Sequence, residues 1–317
     1  MIKEIDLYLN KLFYINRSIS GKGNEQTLDI LKEICPLKIK SIKSNTQVFD
    51  WKTPPEWNVK EAWIKDSKGN TIISFDKSNL HLVNYSTPIN KTISFNELNK
   101  HLFYLEEKPK AIPYRTSYYK KNWGFCLSYN QYLTLDKNET YHVFIDSDLN
   151  EEGKLVYGEA FKQGAVSEEI LISSYFCHPS LANDNLSGVL LSCLLFRELQ
   201  KIKTHYSYRL VLIPETIGAI AWLHQNNSKI SNIKGGFVVS CVAGPDVLGY
   251  KETYLKDHDI DKAVKYALRN EDFYKKYKFE PIGSDERQYS SPAFRIPMGT
   301  ITKSKYFNIV EPVSDSA

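Results

Sequence analysis

One stretch of the chain, residues 171–198, constrains the fold more than any other. It runs from an apolar strand, through a polar elbow containing His178, Asp184 and Asn185, into an apolar helix. The strand is apolar on both faces, which is typical of a strand covered by helices on both sides. Open α/β sheets place their chemistry at the carboxyl ends of such strands. The stretch therefore predicts an α/β domain with a functional site at the elbow.

Two more buried strands follow in the same pattern. Residues 207–216 form a strand-like run that ends in Glu215, and residues 235–244 form another that reaches Cys241 near its end. Helix-like segments separate these strands, and this alternation predicts a parallel sheet with right-handed crossovers. Because the carboxyl ends of neighbouring parallel strands lie at one edge of a sheet, we expect the elbow, Glu215 and Cys241 to converge on one crevice.

The residue types at these strand ends suit metal-assisted hydrolysis. Imidazole, carboxylate and thiolate groups are the usual zinc ligands in proteins. A glutamate next to a metal-bound water is the usual general base in such reactions. Each signal is weak when taken singly, since a histidine at a strand end is more often structural and a buried cysteine usually only packs. The prediction depends on the groups occurring at equivalent points of the sheet.

The part of the chain before residue 133 shows two different sequence patterns. Residues 3–35 carry apolar residues at helical spacing and predict two helices. Residues 37–132 contain short strand-like runs separated by proline and glycine turn signals. We therefore predict a catalytic domain formed by residues 1–40 plus 133–317, and an inserted β-rich subdomain at residues 41–132.

Four shorter patterns give local expectations. Lys68–Asn70 lies between two strand-like runs and predicts a hairpin turn. The predicted insertion is dense in aromatic residues, Tyr114 among them, which form either a sugar or peptide platform or a small core. Trp63 is expected in the core, while Trp51 and Trp57 stay open between the two. A polar helix is expected near Asp261–Lys276, and residues 304–317 are expected to be polar and unstructured.

Composition narrows the function further. The net charge of +4 is small and its cations are scattered, so nothing favours a nucleic-acid partner. The apolar runs are too short to span a bilayer, which predicts no membrane partner. The five cysteines are odd in number and widely spaced, which favours reduced thiols and a cytoplasmic location. A homo-oligomer remains open.

The segment from His178 to Gly188, HPSLANDNLSG, resembles the metal-binding elbow of the co-catalytic zinc aminopeptidases, a family that also includes glutaminyl cyclases. The resemblance implies an α/β fold, a three-layer αβα zinc-peptidase-like mixed sheet with an inserted β-rich subdomain. In that family the elbow aspartate binds the metal and precedes a cis peptide bond, and Asp184 and Asn185 match these positions. His178 and Asp184 would thus be zinc ligands.

Two later segments extend the resemblance. PETIG, residues 214–218, resembles the family's Glu-Glu-x-Gly, whose first glutamate is the general base and whose second is a metal ligand. Gly283-Ser284-Asp285 resembles a later motif whose aspartate supports that base. The resemblance therefore implies that Glu215 is the general base on a zinc-bound water and that Asp285 orients Glu215.

Longer motifs in the same order resemble a bacterial aminopeptidase-like subgroup with a β-rich insertion. They include VFDWKTPPEW, IPYRTSYYKKNWGFCLS and GSDERQYSSP, and the likeness covers nearly the entire chain without supplying a substrate. Arg17 and Arg287 would each either pair with a substrate carboxylate or make a structural contact. The predicted substrate-binding residues are Arg287, Gln288, Tyr289, Asn185 and Arg17.

The chain departs from the family at several metal-binding positions. Thr216 stands where the family has a ligand glutamate, and Cys241 stands where it has a ligand aspartate. These changes predict one zinc site rather than two, with Cys241 either its third ligand or a packing residue. No histidine follows His258 where the family supplies one more ligand, which predicts a C-terminal truncation relative to the subgroup and weakened zinc affinity. His258 and His224 are the remaining candidates, and His224 is expected to point away.

The sequence thus supports two functional hypotheses. The first is a zinc-dependent aminopeptidase-like hydrolase that cleaves an amide bond in a small peptide or aminoacyl-amide substrate. The second is a catalytically impaired or inactive homologue that retains the fold as a small-molecule or protein-binding module. Zinc binding and a Glu215→Gln variant discriminate between them.

Overall fold

A computed structural model describes residues 2–118, 120–271, 273–280 and 284–303. The C-terminal segment 304–317, for which a polar unstructured tail was expected, lies outside the described residues. Gly283 of the Gly-Ser-Asp motif lies outside them as well.

The described residues form a mixed α/β fold around one large sheet. The helices are α1 (Ile2–Phe13), α2 (Lys22–Leu31), α3 (Phe95–Leu98), α4 (Tyr129–Tyr132), α5 (Gly188–Leu199), α6 (Ile217–Gln225), α7 (Asp259–Ala267) and α8 (Glu286–Tyr289). The first eight strands are β1 (Lys38–Lys43), β2 (Gln47–Val48), β3 (Trp51–Lys52), β4 (Glu56–Lys65), β5 (Thr71–Ser74), β6 (Ile89–Ser94), β7 (Leu102–Phe103) and β8 (Phe125–Cys126). The later strands are β9 (Thr140–Asn150), β10 (Lys154–Lys162), β11 (Glu169–Tyr175), β12 (Ser207–Ile213), β13 (Ile233–Val239), β14 (Leu248–Lys251), β15 (Tyr274–Tyr277) and β16 (Met298–Thr302).

The large sheet has eight strands in the order β1-β10-β12-β11-β13-β16-β14-β15. Its centre is parallel, because β11 pairs in parallel with both β12 and β13, and β13 pairs in parallel with β16. At the flanks, β1 pairs with β10, β10 with β12 and β14 with β16 in the antiparallel sense, whereas the edge strand β15 pairs in parallel with β14. The predicted crossovers therefore produce a parallel centre whose carboxyl ends share one edge.

Helices cover both faces of this sheet. Neighbouring residues of β11 alternate between them: Ile172 packs in a core cluster with α1, α2 and α5, and Leu171 packs in another with α6 and α8. A strand buried on both faces has to be apolar throughout, which explains the unbroken apolar run in the sequence. The result is the expected three-layer αβα arrangement with a mixed central sheet.

A second, four-stranded antiparallel sheet carries the order β5-β4-β9-β6. The predicted hairpin turn at Lys68–Asn70 joins β4 to β5, and Gly69 supplies the positive φ of 86° that the turn needs. The central strand β9 comes from residues 140–150, beyond the predicted insertion. The division into residues 1–40 plus 133–317 and residues 41–132 stays a prediction.

None of the helices in the described ranges has the length and apolar character that crossing a bilayer requires.

Asp261 anchors the start of α7, and its replacement is expected to weaken the fold. Its carboxylate accepts hydrogen bonds from the Tyr250 hydroxyl (2.7 Å), the Thr253 amide and hydroxyl (2.9 and 2.7 Å) and the His258 amide (2.9 Å). Burial acts to raise the pKa of Asp261, but hydrogen bonds, led by those from Thr253, outweigh it and hold the pKa below its ordinary value. We expect Asp261→Asn to cost about 2 kcal/mol of unfolding free energy at pH 7, measured by urea denaturation.

The same variant carries a pH signature. Because the folded-state pKa of Asp261 is lowered, its stabilisation is complete above the unfolded pKa of about 3.9 and is lost as pH falls through the folded pKa. The stability difference between wild type and variant should therefore shrink below about pH 4. A difference that stays constant down to acid unfolding would contradict this role for the Asp261 charge.

Candidate active site

The sheet brings the predicted residues to one edge. His178 follows the end of β11, Glu215 follows β12, and Cys241 follows β13. His178 Nε2 lies 3.7 Å from Glu215 Oε2, although 37 residues separate them in the chain (215 − 178). The side chain of Glu215 is 23% exposed, so the crevice is open to solvent at the carboxyl group.

The elbow is held by a tyrosine that the sequence did not single out. Asp184–Asn185 is a cis peptide bond, as the resemblance implied. The Tyr175 hydroxyl donates to Asp184 Oδ1 at 2.5 Å and lies 2.8 Å from Ser240 Oγ and 3.9 Å from Cys241 Sγ. Tyr175 therefore connects the elbow to the end of β13.

Backbone contacts fix the position of Glu215. Its amide N–H donates to Cys177 Sγ at 3.2 Å, and the same sulfur lies 3.7 Å from His178 Nδ1. The next amide, that of Thr216, donates to Asp285 Oδ1 at 2.6 Å. Thr216 itself has a φ of 60°, a conformation that costs a β-branched residue energy and that clusters at functional sites.

Acidic groups accumulate in this crevice. Burial, with a smaller contribution from the carboxyl groups of Asp285 and Asp184, raises the pKa of Glu215 to about 8 against the opposing effect of His178. Burial, together with the charge of Glu286, raises the pKa of Asp285 to about 7, although the Thr216 amide opposes this. Among the described residues, no group hydrogen-bonds to Asp285 Oδ2, and the whole residue is buried.

The donor chemistry of the crevice suits one zinc ion in kind. His178 and Asp184 offer the imidazole and carboxylate that zinc prefers. The crevice also holds several carboxyl groups close together, and a bound cation would balance their negative charge. Burial and the charge of Asp184 raise the pKa of the Cys241 thiol, so zinc binding at this sulfur would have to release a proton. Within the described ranges, no three or more His, Cys, Asp or Glu side chains form a group that could hold a metal ion.

Three of the predicted substrate-binding residues make structural contacts. Arg17 is fully buried and donates to the carbonyl oxygens of His178 and Leu12, which matches the alternative of a structural tie. Asn185 is buried, and its amide group bonds to Ser174, Tyr175, Val239, Gly188 and Cys241. Tyr289 is buried with its hydroxyl 3.0 Å from Ser173 Oγ. Their roles toward a substrate stay predictions.

The other two predicted substrate residues line a separate cavity. Arg287 and Gln288 contribute to a cavity of about 710 Å³ together with Phe49, Tyr254 and Phe294. The cavity lies along α6 and α8, and the residues that form its wall do not include His178, Asp184 or Glu215.

The two spare histidines lie elsewhere. His224 packs edge-on against Phe49 with ring centroids 4.9 Å apart, in agreement with the expectation that it points away. His258 caps α7, where its Nδ1 accepts a hydrogen bond from the Ile260 amide. Neither contact places a histidine beside Asp184.

Tyr114, which the sequence placed only among the dense aromatic residues of the predicted insertion, also lies at this site. The ring of Tyr114 packs against the ring of His178 with centroids 4.8 Å apart. Burial raises the pKa of Tyr114 well above its ordinary value, and Cys177, Glu215 and Asp184 add to the effect. Its signals in the sequence were the density of aromatic residues in this segment and the motif IPYRTSYYKK.

These features define an aminopeptidase-like fold. The structure superposes on a zinc aminopeptidase from Bacillus subtilis with a TM-score of 0.66 at 11% identity, covering 97% of this chain and 87% of that one. At this identity the likeness shows the fold. It confirms the resemblance to zinc aminopeptidases and the three-layer fold class inferred from the sequence.

The chain belongs to the family described as "Domain of unknown function (DUF4910)", whose model matches residues 7–312. A relative from Clostridium acetobutylicum, named "Putative polysaccharide biosynthesis protein with aminopeptidase-like domain", is 46% identical over 305 residues, which are 96% of this chain and 70% of the relative. A crystal structure from the same organism, described as a "putative peptidase", matches with a TM-score of 0.93 at 45% identity, covering 97% of this chain and 72% of that one.

Proposed function

We propose that the protein is a zinc-dependent aminopeptidase-like hydrolase that cleaves an amide or peptide bond. One observation carries the proposal: the carboxyl group of Glu215 lies 3.7 Å from His178 Nε2 in an open crevice, and burial raises its pKa. A general base works best when its pKa is near the working pH, and burial has moved Glu215 toward that range.

Each residue of the crevice has a task in this reaction. Glu215 takes a proton from the attacking water and returns it to the leaving amine. Asp285 holds the Thr216 amide and so fixes the main chain beside Glu215. His178 and Asp184 would hold one zinc ion, with Cys241 as a third ligand after loss of its proton. Zinc supplies Lewis-acid chemistry, by lowering the pKa of a water molecule and polarising a carbonyl group.

We infer a small peptide or an aminoacyl amide as the substrate. The support is the fold, which is shared with a protein whose name states that it is a zinc aminopeptidase. Arg287 and Gln288, in the cavity next to α8, stay the proposed contacts for more distant parts of a substrate.

Isothermal titration with zinc tests the metal site. We expect wild type to bind about one zinc ion, and His178→Ala to bind it at least tenfold more weakly, because a two-donor remnant cannot satisfy tetrahedral zinc. His205→Ala, an exposed histidine remote from the crevice, is the matched control and should bind as wild type does. If wild type shows no binding of zinc at micromolar concentrations, the proposed zinc-dependent mechanism is excluded.

Specific observations also favour the second hypothesis, a catalytically impaired homologue that serves as a small-molecule or protein-binding module. Thr216 and Cys241 replace family ligands, and the described residues hold no complete group of metal donors. Under this hypothesis the purified protein hydrolyses no aminoacyl amide, with or without zinc.

We also propose a cytoplasmic location. All five cysteines are unpaired and buried in the structure, as expected for a protein that folds in a reducing compartment.

A further inference from the structure

A residue of the inserted region reaches the crevice directly. Tyr114 lies in the connection between β7 and β8, far along the chain from the elbow. Its ring meets that of His178 at an interplanar angle of 66°. Tyr114 is only partly buried, and Glu215 is among the neighbouring acids that raise its pKa, so the phenol lies near that carboxyl group.

The hydroxyl group of Tyr114 is set up to donate a hydrogen bond. Asn84 Nδ2 donates to the phenol oxygen at 3.4 Å, so the protein uses this oxygen as an acceptor. Within the part of the chain that the structure describes, Tyr114 is the donor in no hydrogen bond. A phenol is neutral at pH 7 and has one O–H to give, and that proton remains for a bound ligand.

The position of the phenol is fixed from both sides of the crevice. Asn84 is buried, and its main chain is held by two hydrogen bonds. Its backbone N–H donates to the backbone carbonyl of Arg115 at 2.9 Å, and its backbone carbonyl accepts from the backbone N–H of Ser117 at 2.8 Å. The same Asn84 side chain reaches the carbonyl of Arg17 at 3.5 Å, and Arg17 holds the carbonyl of His178. The inserted loop and the elbow are thus tied through Asn84 and Arg17.

We propose that Tyr114 is a catalytic residue whose hydroxyl donates a hydrogen bond to the oxygen of the scissile carbonyl, so that the β-rich insertion completes the active site. The inference rests on the proposed hydrolase function. A donor aimed at the place where negative charge develops stabilises the transition state more than the bound substrate.

The reaction balances with Tyr114 as a pure hydrogen-bond donor. Water adds to the carbonyl carbon, the π electron pair moves onto the carbonyl oxygen, and the proton of water goes to Glu215. The electron pair on the oxyanion then re-forms the carbonyl bond as the carbon–nitrogen bond breaks, the pair of that bond stays on the amine nitrogen, and Glu215 returns the proton to that nitrogen. The proton of Tyr114 stays on the phenol throughout and stabilises the oxyanion between the two steps.

Tyr114→Phe separates this role from a structural one, because the variant keeps the ring that packs on His178 and loses only the hydroxyl. We expect kcat for hydrolysis of L-leucine p-nitroanilide to fall about 10²–10³-fold, with KM within about threefold of wild type. Tyr129→Phe, a partly buried tyrosine in the aromatic cluster of the insertion, is the matched control and should leave both constants unchanged. Thermal unfolding of both variants should match wild type.

A binding measurement gives a second readout. L-Leucinephosphonic acid carries tetrahedral anionic oxygens, whereas L-leucine has a planar carboxylate. Tyr114→Phe should weaken binding of the phosphonic acid by about tenfold or more, the loss expected for one charge-assisted hydrogen bond, and leave L-leucine affinity unchanged.

The outcomes distinguish this inference from the proposed function. If wild type hydrolyses the anilide and Tyr114→Phe retains full kcat and phosphonate affinity, the assignment of Tyr114 is wrong and the hydrolase proposal stands. If wild type neither hydrolyses the anilide nor binds the phosphonic acid in the presence of zinc, the hydrolase proposal fails and the role of Tyr114 fails with it.

Discussion

Glu215→Gln should lower kcat for aminoacyl p-nitroanilide hydrolysis by about 10²–10⁴-fold, the usual contribution of a general acid–base residue. Glutamine has nearly the same shape as glutamate but cannot take up the proton of the attacking water. Because Glu215 is partly exposed and its neighbours Asp184 and Asp285 are also acidic, removal of its charge should not destabilise the fold. Initial rates and thermal unfolding of wild type and variant provide the measurement.

The control for Glu215→Gln is the same substitution at an exposed site. Glu107 is exposed in the connection between β7 and β8, and Glu107→Gln should retain full activity. Equal rates for wild type and Glu215→Gln would mean that another group carries the proton.

The second large effect is expected at the buried ion pair between Lys251 and Glu286. Lys251 Nζ lies 2.5 Å from Glu286 Oε1 and also donates to the carbonyl of Glu280 at 3.3 Å. The two side chains are 2% and 1% exposed, and Glu286 follows Asp285 directly. Lys251→Met leaves the Glu286 charge buried without its lysine partner, so we expect a loss of about 3–5 kcal/mol in unfolding free energy.

Urea denaturation of matched variants checks this expectation. Lys262→Met removes one partner of an exposed pair with Asp259 and should change stability by less than about 0.5 kcal/mol. The double variant Lys251→Met with Glu286→Leu removes both charges and should recover most of the loss. A single Lys251→Met variant as stable as Lys262→Met would show that the buried pair contributes little.

The sequence predicted the convergence of His178, Asp184, Glu215 and Cys241 on one crevice because sheet topology determines it. Parallel strands that alternate with helices deliver their carboxyl ends to the same edge, and this needs no knowledge of side-chain contacts. The elbow and its cis peptide bond followed from the motif itself.

Tertiary pairing decided the features that local patterns missed. The helix expected near Asp261–Lys276 was wrong in its second half, because Tyr274–Tyr277 forms β15 in parallel with β14. The expectation that Trp63 lies in the core was also wrong. Trp63 is partly exposed, where it stacks on Phe144, and Trp57 is the buried tryptophan of β4.

The position of Tyr114 beside the elbow could not be foreseen for the same reason. Tyr114 is one of many tyrosines in an aromatic-rich segment, and its spacing alone does not distinguish a crevice residue from a core residue. Only the packing of the β7–β8 connection against the elbow brings its ring to His178.

Zinc dependence is tested by the rate of L-leucine p-nitroanilide hydrolysis by wild type before chelation, after chelation and after addition of one equivalent of zinc. We expect chelation to abolish the activity and zinc to restore it. Hydrolysis that survives complete removal of metal, or a zinc-loaded protein without activity, would contradict a zinc-dependent hydrolase at this crevice.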